Sequence, residues 1–251
     1  MSDLYGAIAP YYDSLGMSEF ATRIAPQIVH FAHGLDWIGR RVVDFGCGTG
    51  ASTAWFASQG FNVVGVDRSP AMLEVARASI DSAGLALEWQ LGGIEALDSL
   101  REIDLVVALD VANELNSVRD LEQLFRSVAQ SLSAGKLFIF DLHTLEGLAA
   151  DDDATHLIRD DDQLTAFVVT QFDHERQTRL DDLRVFVAAG QGWQRLRMVE
   201  SRHGFPVQVV SALLGRAGFH VAALVDEAFA PVTPAHPRAA RAIYFSQRSS
   251  S

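Results

Sequence analysis

The chain has 251 residues, of which 49% are hydrophobic and 21% charged, with a formal net charge of −12. This composition is ordinary for a globular protein, which excludes a disordered or fibrous chain, and the length is enough for a sizeable core without disulfides or metals. The acidic balance disfavours nucleic acid and anionic membrane surfaces as partners, because both attract clustered lysine and arginine.

The cysteine count and the first residues predict a cytoplasmic protein. The single cysteine, Cys47, cannot form an internal disulfide, and no Cys/His cluster has zinc spacing, so no metal is expected. The amino terminus lacks the basic and apolar regions of a signal peptide. No apolar run reaches the roughly 18 to 20 residues that span a bilayer.

Residues 1–34 are predicted to form an N-terminal helical cap. Four apolar residues fall on one face at helical spacing: Phe20, Ile24, Ile28 and Phe31. Gly34 is a stop signal, and Pro26 is expected to kink or restart the helix.

Residues 35–150 alternate strand and helix signals and are predicted to form a cofactor-binding α/β core. The expected strands are Arg41–Phe45, Asn62–Val66, Leu85–Leu91, Ile103–Leu109 and Leu137–Phe140. The expected helices are Ala51–Gln59, the segment from Ser69-Pro70 to Gly84, and Leu121–Leu132. This alternation predicts a doubly wound, mostly parallel, Rossmann-like sheet, which two later strands complete to seven.

Residues 151–203 change to two-residue alternation, which predicts an antiparallel β insertion that forms a lid over the acceptor. Its expected strands are Leu164–Phe172, Leu183–Ala188 and Trp193–Val199. The acidic clusters Asp151–Asp153 and Asp160–Asp162 are interpreted as solvated loops. The aromatic residues of the insertion are expected in its core, with the lining of an acceptor pocket as the alternative: Phe167, Phe172, Phe186 and Trp193.

Residues 204–251 are predicted to complete the core. A helix at Pro206–Ala217 precedes the strands Phe219–Val225 and Ala242–Ser246, which a proline-rich loop joins. The loop contains Pro231, Pro234 and Pro237, and the tail Ser249–Ser251 is expected to fray.

The strongest chemical signal is the segment Val42–Gly50, VVDFGCGTG, at the turn from the first strand into a helix. Glycines let the backbone approach a ligand, and the helix N-terminus supplies free N–H groups. Two ligands compete here. Gly46, Gly48 and Ala51 fit a dinucleotide fingerprint, with Asp67 placed for ribose hydroxyls. Asp44, however, would repel a pyrophosphate and suits an ammonium group.

The segment Asp44–Gly50 resembles the signature of the class I S-adenosylmethionine-dependent methyltransferases. Further segments resemble the same family: Val63–Leu73, Ile103–Val107, Leu132–Leu137 and Ala217–Phe219. The resemblance implies that S-adenosylmethionine is the cofactor, that Asp67 takes its ribose hydroxyls and that Met72 packs on its adenine. It also implies that Asp44 contacts the ammonium group, directly or through water.

The segment Tyr5–Asp13 resembles an N-terminal Y-x-x-x-A-x-x-Y-D stretch that closes over the cofactor in small-molecule members. The resemblance implies that Tyr5 and Tyr12 reach its methionine end. Gly93 stands where relatives carry an acid for the adenine amino group, so the N–H of Ile94, or Glu95, is expected to serve instead. The full set of expected cofactor-binding residues is Tyr5, Tyr12, Asp44, Gly46, Cys47, Gly48, Gly50, Asp67, Arg68, Met72, Ile94 and Leu109.

Candidate catalytic residues follow the fourth and fifth strands, at the carboxyl edge of the sheet. Asp110 and Glu114 follow the fourth, and His143, with a suitable intrinsic pKa for proton removal, follows the fifth. The stretch Glu200–His203 resembles an E-x-x-H segment of relatives with this insertion, and offers Arg202 or His203 to the acceptor pocket.

The predicted function is methyl transfer from S-adenosylmethionine to a nitrogen or oxygen of a small-molecule acceptor by in-line displacement. One alternative is a nicotinamide-dependent oxidoreductase. A Tyr-x-x-x-Lys relay ending at Lys136, the only lysine, has Leu132 where the tyrosine is needed. The other alternative is a catalytically inactive cofactor-binding module. The sequence identifies neither the acceptor nor the oligomeric state.

Overall fold

The computed structural model describes residues 3–150, 152–233 and 239–249, and this part of the chain forms two β-sheets with helices around them. The helices are α1 (Glu19–Gly34), α2 (Ala51–Ser58), α3 (Pro70–Ser79), α4 (Val118–Ser131), α5 (Leu145–Ala149) and α6 (Val207–Arg216). The strands are β1 (Arg41–Phe45), β2 (Asn62–Asp67), β3 (Leu87–Leu91), β4 (Ile103–Ala108), β5 (Leu132–His143), β6 (Thr155–Asp160), β7 (Leu164–Asp173), β8 (Thr178–Ala189), β9 (Gly192–His203), β10 (Phe219–Val225) and β11 (Arg241–Arg248). Short 3-10 helices lie at Ala9–Tyr11, Ile94–Ser99 and Ala112–Glu114.

The seven-stranded sheet has the order β10-β11-β5-β4-β1-β2-β3. Strands β1 to β5 run parallel, and β11 joins β5 antiparallel. Leu105, Val106 and Val107 of β4 are fully buried because helices cover both faces of the sheet. The order reverses between β4 and β1, and ligands of such sheets bind at the carboxyl ends of the strands beside that point. The predicted fold class is confirmed.

Two apolar clusters hold the helices on the large sheet. On one face, Phe125 of α4 contacts Phe138 and Phe140 of β5, with ring centroids 5.8 and 5.2 Å apart. On the other face, Ile24 and Ile28 of α1 pack with the strands. Helix α1 runs through Pro26 without the expected restart, because the buried side chains on both sides of the proline keep the helix on the sheet.

Strands β6 to β9 form a second, antiparallel sheet, called the small sheet below. Its apolar face packs on the chain's beginning, so that Leu183, Val185 and Met198 share a buried cluster with Tyr5 and Ile8. Residues 3–13, the N-terminal segment, therefore lie between the small sheet and the core.

The small sheet differs from its prediction in two respects. Strand β6 is not among the predicted strands, because all of its residues are exposed and it shows no alternation of buried and exposed positions; of the two acidic clusters predicted as loops, only Asp160 falls in it. The expectation of a core position is wrong for Trp193, which is 52% exposed. The rings of Phe167 and Phe186 stack on each other, with centroids 6.2 Å apart. Each follows a buried residue in its strand, and because successive side chains point to opposite faces, the two rings lie on the face away from the buried cluster.

Strand β5 begins at Leu132, five residues before its predicted start at Leu137. None of the helices in the described part of the chain is long and apolar enough to cross a membrane. Asp151, Pro234, Pro237, Ser250 and Ser251, on which loop and tail predictions fell, lie outside the described residues.

Candidate active site

A cavity of about 330 Å³ lies at the carboxyl ends of β1, β2 and β4. Its wall includes nine of the expected cofactor-binding residues: Tyr5, Tyr12, Gly46, Gly48, Asp67, Arg68, Met72, Ile94 and Leu109. The catalytic candidates Asp110 and Glu114 line the same cavity. A recess of about 30 Å³ shares Gly46 and Gly48 with the cavity and adds Asp44 and Cys47. Gly50 and His143 line neither space.

The glycine loop is fixed by its backbone. The N–H groups of Gly46 and Cys47 donate to the Val66 carbonyl oxygen over 2.7 and 3.1 Å. Gly46 has φ +74°, and a Cβ there would lie 2.3 Å from Cγ2 of Val111. At Gly50, with φ +82°, a Cβ would lie 2.3 Å from the Trp89 ring. The glycines therefore let the turn pack tightly, and Gly50 does so away from the cavity.

Asp67 ends β2 with both carboxylate oxygens oriented by the backbone. Oδ2 accepts the N–H of Gly48 and Oδ1 accepts the N–H of Ser69, each over 2.8 Å. Burial raises the pKa of Asp67, and these two hydrogen bonds oppose that shift. A carboxylate held in this way at a cavity wall is suited to accept hydrogen bonds from a diol.

Asp44 is turned toward the start of α2. It is 1% exposed, and its Oδ2 accepts the hydroxyls of Ser52 and Thr53 over 2.7 and 2.6 Å. Burial raises the pKa of Asp44 against these hydrogen bonds. Burial also raises the pKa of the Cys47 thiol well above its usual value, which suits a small loop residue and not a nucleophile.

The loop after β3 closes the far end of the cavity. Ile94 begins the 3-10 helix there, and Gly92 and Gly93 line the wall beside it. The carboxylate of Glu95 folds back on its own loop, where it accepts the N–H of Gly93 over 2.8 Å.

The N-terminal segment is tied down on both sides of the cavity. Asp3 accepts the hydroxyl of Ser69 over 2.8 Å, and Asp13 accepts the hydroxyl of Thr49 over 2.6 Å. The rings of Tyr5 and Tyr12 meet edge to face, with centroids 6.1 Å apart. This segment therefore covers the cavity.

Glu114 meets a second carboxyl group through the Tyr5 hydroxyl. Tyr5 Oη lies 2.8 Å from Oε1 of Glu114 and 3.2 Å from Oε1 of Glu200, and Arg68 donates to Oε2 of Glu114 over 2.9 Å. Burial and the charge of Glu200 raise the pKa of Glu114 to about 8. Glu200, which is 3% exposed, was missed as a site residue because its motif pointed to Arg202 and His203.

Asp110 lines the cavity and belongs to a charge network whose other members, Asp141 and Arg241, are buried. Its N–H donates to Oδ1 of Asp141 over 2.7 Å, and Arg241 donates to the carboxylates of both residues. Burial opposes ionisation of Asp110, but Arg202 and Arg241 outweigh it and hold its pKa well below the usual range. Asp110 is therefore an ionised, paired group. Arg241 and Asp141 carried no motif that marks them as site residues.

His143 lies against the same guanidinium. Its Nε2 is 2.6 Å from Nη2 of Arg241, and because a guanidinium only donates, Nε2 must be the acceptor. Burial and the charge of Arg241 lower the pKa of His143 to about 3. The lone pair needed for proton removal is thus engaged, and this geometry disfavours the predicted role. His203 lies farther out, with Nδ1 3.2 Å from the Thr178 hydroxyl.

Asn113 joins the large sheet to the small one. Its Oδ1 accepts the N–H of His143 over 2.7 Å, and its Nδ2 donates to the carbonyl oxygens of His143 and His203. The side chain is buried and holds the ends of β5 and β9 together. Its position between Asp110 and Glu114 was the only sequence signal that pointed to it.

Comparisons with known proteins fall on one family. Residues 42–135 match the family model described as a methyltransferase domain. YqeM of Bacillus subtilis strain 168, whose name assigns it provisionally to the methyltransferases, is 27% identical over 185 residues, 72% of this chain and 74% of that protein. Further curated relatives align over less than half of their own length.

Solved structures share the fold over nearly the whole chain. An S-adenosylmethionine-dependent methyltransferase from Clostridium acetobutylicum has a TM-score of 0.82 at 22% identity, covering 98% of this chain and 99% of that one. CalS10 of Micromonospora echinaspora, an amino pentose methyltransferase solved with S-adenosylmethionine, has a TM-score of 0.71 at 19% identity, covering 91% and 92%.

Proposed function

We propose that the chain is a class I S-adenosylmethionine-dependent methyltransferase and that it methylates a nitrogen or oxygen of a small-molecule acceptor. One observation carries the proposal. One cavity is lined both by the glycine loop and Asp67 and by Tyr5 and Glu114. A cofactor-binding surface and titratable groups thus share it.

The residues present fit the cofactor. Gly48 has φ +54° and lines the cavity, and apart from Tyr12 at 4.0 Å nothing lies near the position of a Cβ there, so its missing side chain leaves room for a ligand. Asp67 would accept the ribose hydroxyls, Met72 and Ile94 would hold the adenine, and Tyr5 and Tyr12 would cover the methionine end. When bound, S-adenosylmethionine supplies an electrophilic methyl group on a sulfonium sulfur.

The acceptor side favours a small molecule. The cavity holds about 330 Å³ and is covered by the N-terminal segment, which itself lies under the small sheet. An acceptor must therefore be small enough to enter beneath that cover. CalS10, which acts on an amino pentose by its name, shares this fold and supports the same class of acceptor. Glu114 is the titratable group that we assign to the acceptor's proton.

Thermal unfolding with four ligands tests the cofactor. Wild type and Asp67→Ala are heated with S-adenosylmethionine, S-adenosylhomocysteine, NADH or NADPH, each at high excess. A ligand at about 100 times its Kd adds about 2.7 kcal/mol, which is several degrees for a chain of this size. We expect a shift from the two adenosyl ligands in wild type alone.

Asp104→Ala is the matched control. Asp104 also accepts two backbone N–H groups, of Arg40 and Arg41 over 2.8 and 3.0 Å, but does not line the cavity. It should lose stability while keeping the shift. A rise in the unfolding temperature with NADH or NADPH would favour the oxidoreductase instead. If none of the four ligands changes the unfolding temperature, a module without activity is favoured.

A further inference from the structure

Three elements that are distant in sequence meet at one hydroxyl. Tyr5 comes from the N-terminal segment, Glu114 from the 3-10 helix after β4, and Glu200 from β9 of the small sheet. The Tyr5 oxygen lies 2.8 Å from one carboxyl group and 3.2 Å from the other. The side chain of Glu200 is 4% exposed, whereas that of Glu114 is 19% exposed and lines the cavity.

Counting protons shows what this arrangement requires. Burial, with the two carboxyl groups nearby, raises the pKa of Tyr5 well above its usual value, so the phenol keeps its single proton. That proton serves one of the two contacts. If both glutamates were ionised, the other contact would bring two oxygens together with no hydrogen between them. One further proton, on either carboxyl group, makes both contacts hydrogen bonds.

The surrounding charges decide which carboxyl group holds that proton. Glu200 faces Arg202, whose side chain is 19% exposed, with Nη2 3.4 Å from Oε2. Glu114 faces Arg68, whose side chain is 56% exposed and therefore well screened by solvent. The less exposed guanidinium lies against Glu200, and burial together with the charge of Glu200 raises the pKa of Glu114, so the proton belongs on Glu114.

Two more groups face this site from neighbouring elements. Asp110, after β4, is paired with Arg241 and Arg202 and stays ionised. Burial raises the pKa of the Tyr12 hydroxyl, which keeps its proton. Neither group therefore titrates with Glu114 near neutral pH.

We propose that Glu200 is a positioning residue that acts through the Tyr5 hydroxyl, so that Glu114 takes the proton of the methyl acceptor. The inference rests on the proposed function, because it assigns roles on the acceptor side of the same cavity. Glu200 is not among the residues that line the cavity, so its effect on the acceptor has to pass through Glu114. It sets the proton affinity of the residue that does, and a base that titrates near the working pH is the most effective one.

The proton balance of the step is simple. Glu114 first releases the proton that it holds in the bridge to solvent, past Arg68 on the exposed side of its carboxyl group. With S-adenosylmethionine bound, the acceptor lone pair would form a bond to the methyl carbon while the carbon–sulfur bond breaks with its electron pair left on sulfur, and the acceptor proton would pass to the Glu114 carboxylate. Glu114 is then protonated again, as it was at the start.

The test measures stability against pH and needs no acceptor. Because the pKa of Glu114 is raised to about 8, the folded protein holds a proton there that the unfolded chain releases. The resulting stabilisation is fully present below the usual glutamate pKa of about 4.5 and is lost progressively as the pH rises from there to about 8. Wild type, Glu114→Gln, Glu200→Gln and Glu200→Asp are unfolded thermally between pH 5.5 and 9.5.

We expect wild type to show this loss and Glu114→Gln to lack it. In Glu200→Gln the loss of stability should end at least one pH unit lower than in wild type, because the neighbouring negative charge is gone. Glu200→Asp keeps that charge, so its pH profile should return most of the way to that of wild type. If Glu200→Gln fails to fold, Tyr5→Phe replaces it: the hydrogen bond from the Tyr5 hydroxyl lowers the Glu114 pKa, so in this variant the loss should end at a higher pH than in wild type. Asp182→Asn is the control on the small sheet, because Arg197 and Arg184 hold the Asp182 pKa at about 2.

Binding of S-adenosylmethionine, measured by calorimetry on the same proteins, separates the two proposals. A downward shift in Glu200→Gln, with binding by wild type, supports the positioning role. A wild-type pH profile in Glu200→Gln, or in Tyr5→Phe where that variant replaces it, overturns the positioning role and leaves the proposed function standing. Absence of binding by wild type overturns the proposed function itself, whatever the pH profiles show.

Discussion

The two halves of the cavity are built in different ways. In the cofactor half, defined by the glycine loop and Asp67, the contacts join neighbouring parts of the chain through backbone groups, and Gly48 and Asp67 are 19 residues apart. In the acceptor half, defined by Tyr5, Glu114 and the charge network behind them, side chains meet across 195 residues between Tyr5 and Glu200. The first half depends on loop conformation, and the second on buried charges brought together by the fold.

This difference predicts different responses to substitution. Backbone hydrogen bonds survive most side-chain changes, so the cofactor half is sensitive chiefly at its glycines and at Asp67. In the acceptor half each charge balances another, and removing one partner leaves an uncompensated charge in a buried place. Variants in the two halves should therefore separate loss of binding from loss of stability.

The largest effect on stability is expected at Arg241. This residue is 7% exposed and donates to Asp110, Asp141 and His143. Arg241→Met should lower the free energy of unfolding by about 3 to 5 kcal/mol, because it leaves the Asp141 carboxylate, which is 1% exposed, without its cation. Thermal or urea unfolding at pH 7 measures the loss.

Arg197→Met is the matched control for that prediction. Arg197 also donates to a carboxylate, Asp182, over 2.7 Å, but its side chain is 56% exposed. The control should lose no more than about 1 kcal/mol. Equal losses in the two variants would contradict the view that the acceptor half depends on buried charge.

The glycine loop offers a pair of variants that differ in one respect. Gly46→Ala brings a Cβ to 2.3 Å from Val111 at φ +74°, whereas Gly48→Ala has no neighbour closer than 4.0 Å, at φ +54°. Gly46→Ala should cost about 1 to 3 kcal/mol in backbone strain, with the clash in addition. Gly48→Ala should cost less stability but weaken S-adenosylmethionine binding, because its methyl group enters the cavity.

Unfolding and calorimetry on both variants check this contrast. Gly60→Ala serves as control for strain alone, since it has φ +86° with no atom within 4 Å of its Cβ and lies outside the cavity. Unchanged affinity in Gly48→Ala would show that the cofactor does not approach this part of the loop.

The same contrast explains how much the sequence predicts. The residues that line the cofactor half could be placed from the sequence because they lie in contiguous motifs at the ends of consecutive strands, as Gly46 and Asp67 do. Asn113, Glu200 and Arg241 could not, because a polar residue gains its role there only from partners 30 to 195 residues away. No local pattern records such a pairing.

Two elements show the limits of local signals in the fold. Strand β6 has no buried face, so two-residue alternation in hydrophobicity does not reveal it. Pro26 signals a helix break, but burial of Ala25 and Ile28 against the sheet outweighs the lost hydrogen bond. In both places tertiary contacts decide the structure.

A pH experiment tests the charge state of the network. Because burial and Arg241 lower the pKa of His143 to about 3, the unfolded chain takes up a proton that the folded protein does not. The contribution of His143 to the free energy of unfolding is therefore fully present above the usual histidine pKa of about 6.5. It is lost as the pH falls from there toward 3, by about 1.4 kcal/mol per pH unit. His143→Gln keeps an acceptor for Arg241 and should remove this part of the acid dependence.

His174→Gln is the control for that change, because the side chain of His174 is 73% exposed. Unfolding between pH 4.5 and 7.5 distinguishes the variants. An identical acid slope in wild type and His143→Gln would mean that the folded protein protonates His143, and would restore it as a proton acceptor.

The smallest effect is expected where the N-terminal segment crosses from one half to the other. The hydroxyl of Thr49, in the glycine loop, donates to Asp13 over 2.6 Å, and Thr49→Val removes that donor at nearly constant volume. The free energy of unfolding should fall by about 1 kcal/mol, but S-adenosylmethionine should dissociate several-fold faster, because the cover over the cavity opens more often.

Thr22→Val is the control. It removes an exposed hydroxyl that donates to the Ser18 carbonyl oxygen, and it should leave the dissociation rate unchanged. If S-adenosylmethionine dissociates from Thr49→Val at the wild-type rate, the N-terminal segment is held by the apolar cluster around Ile8 and not by Asp13. The segment then belongs to the acceptor half alone.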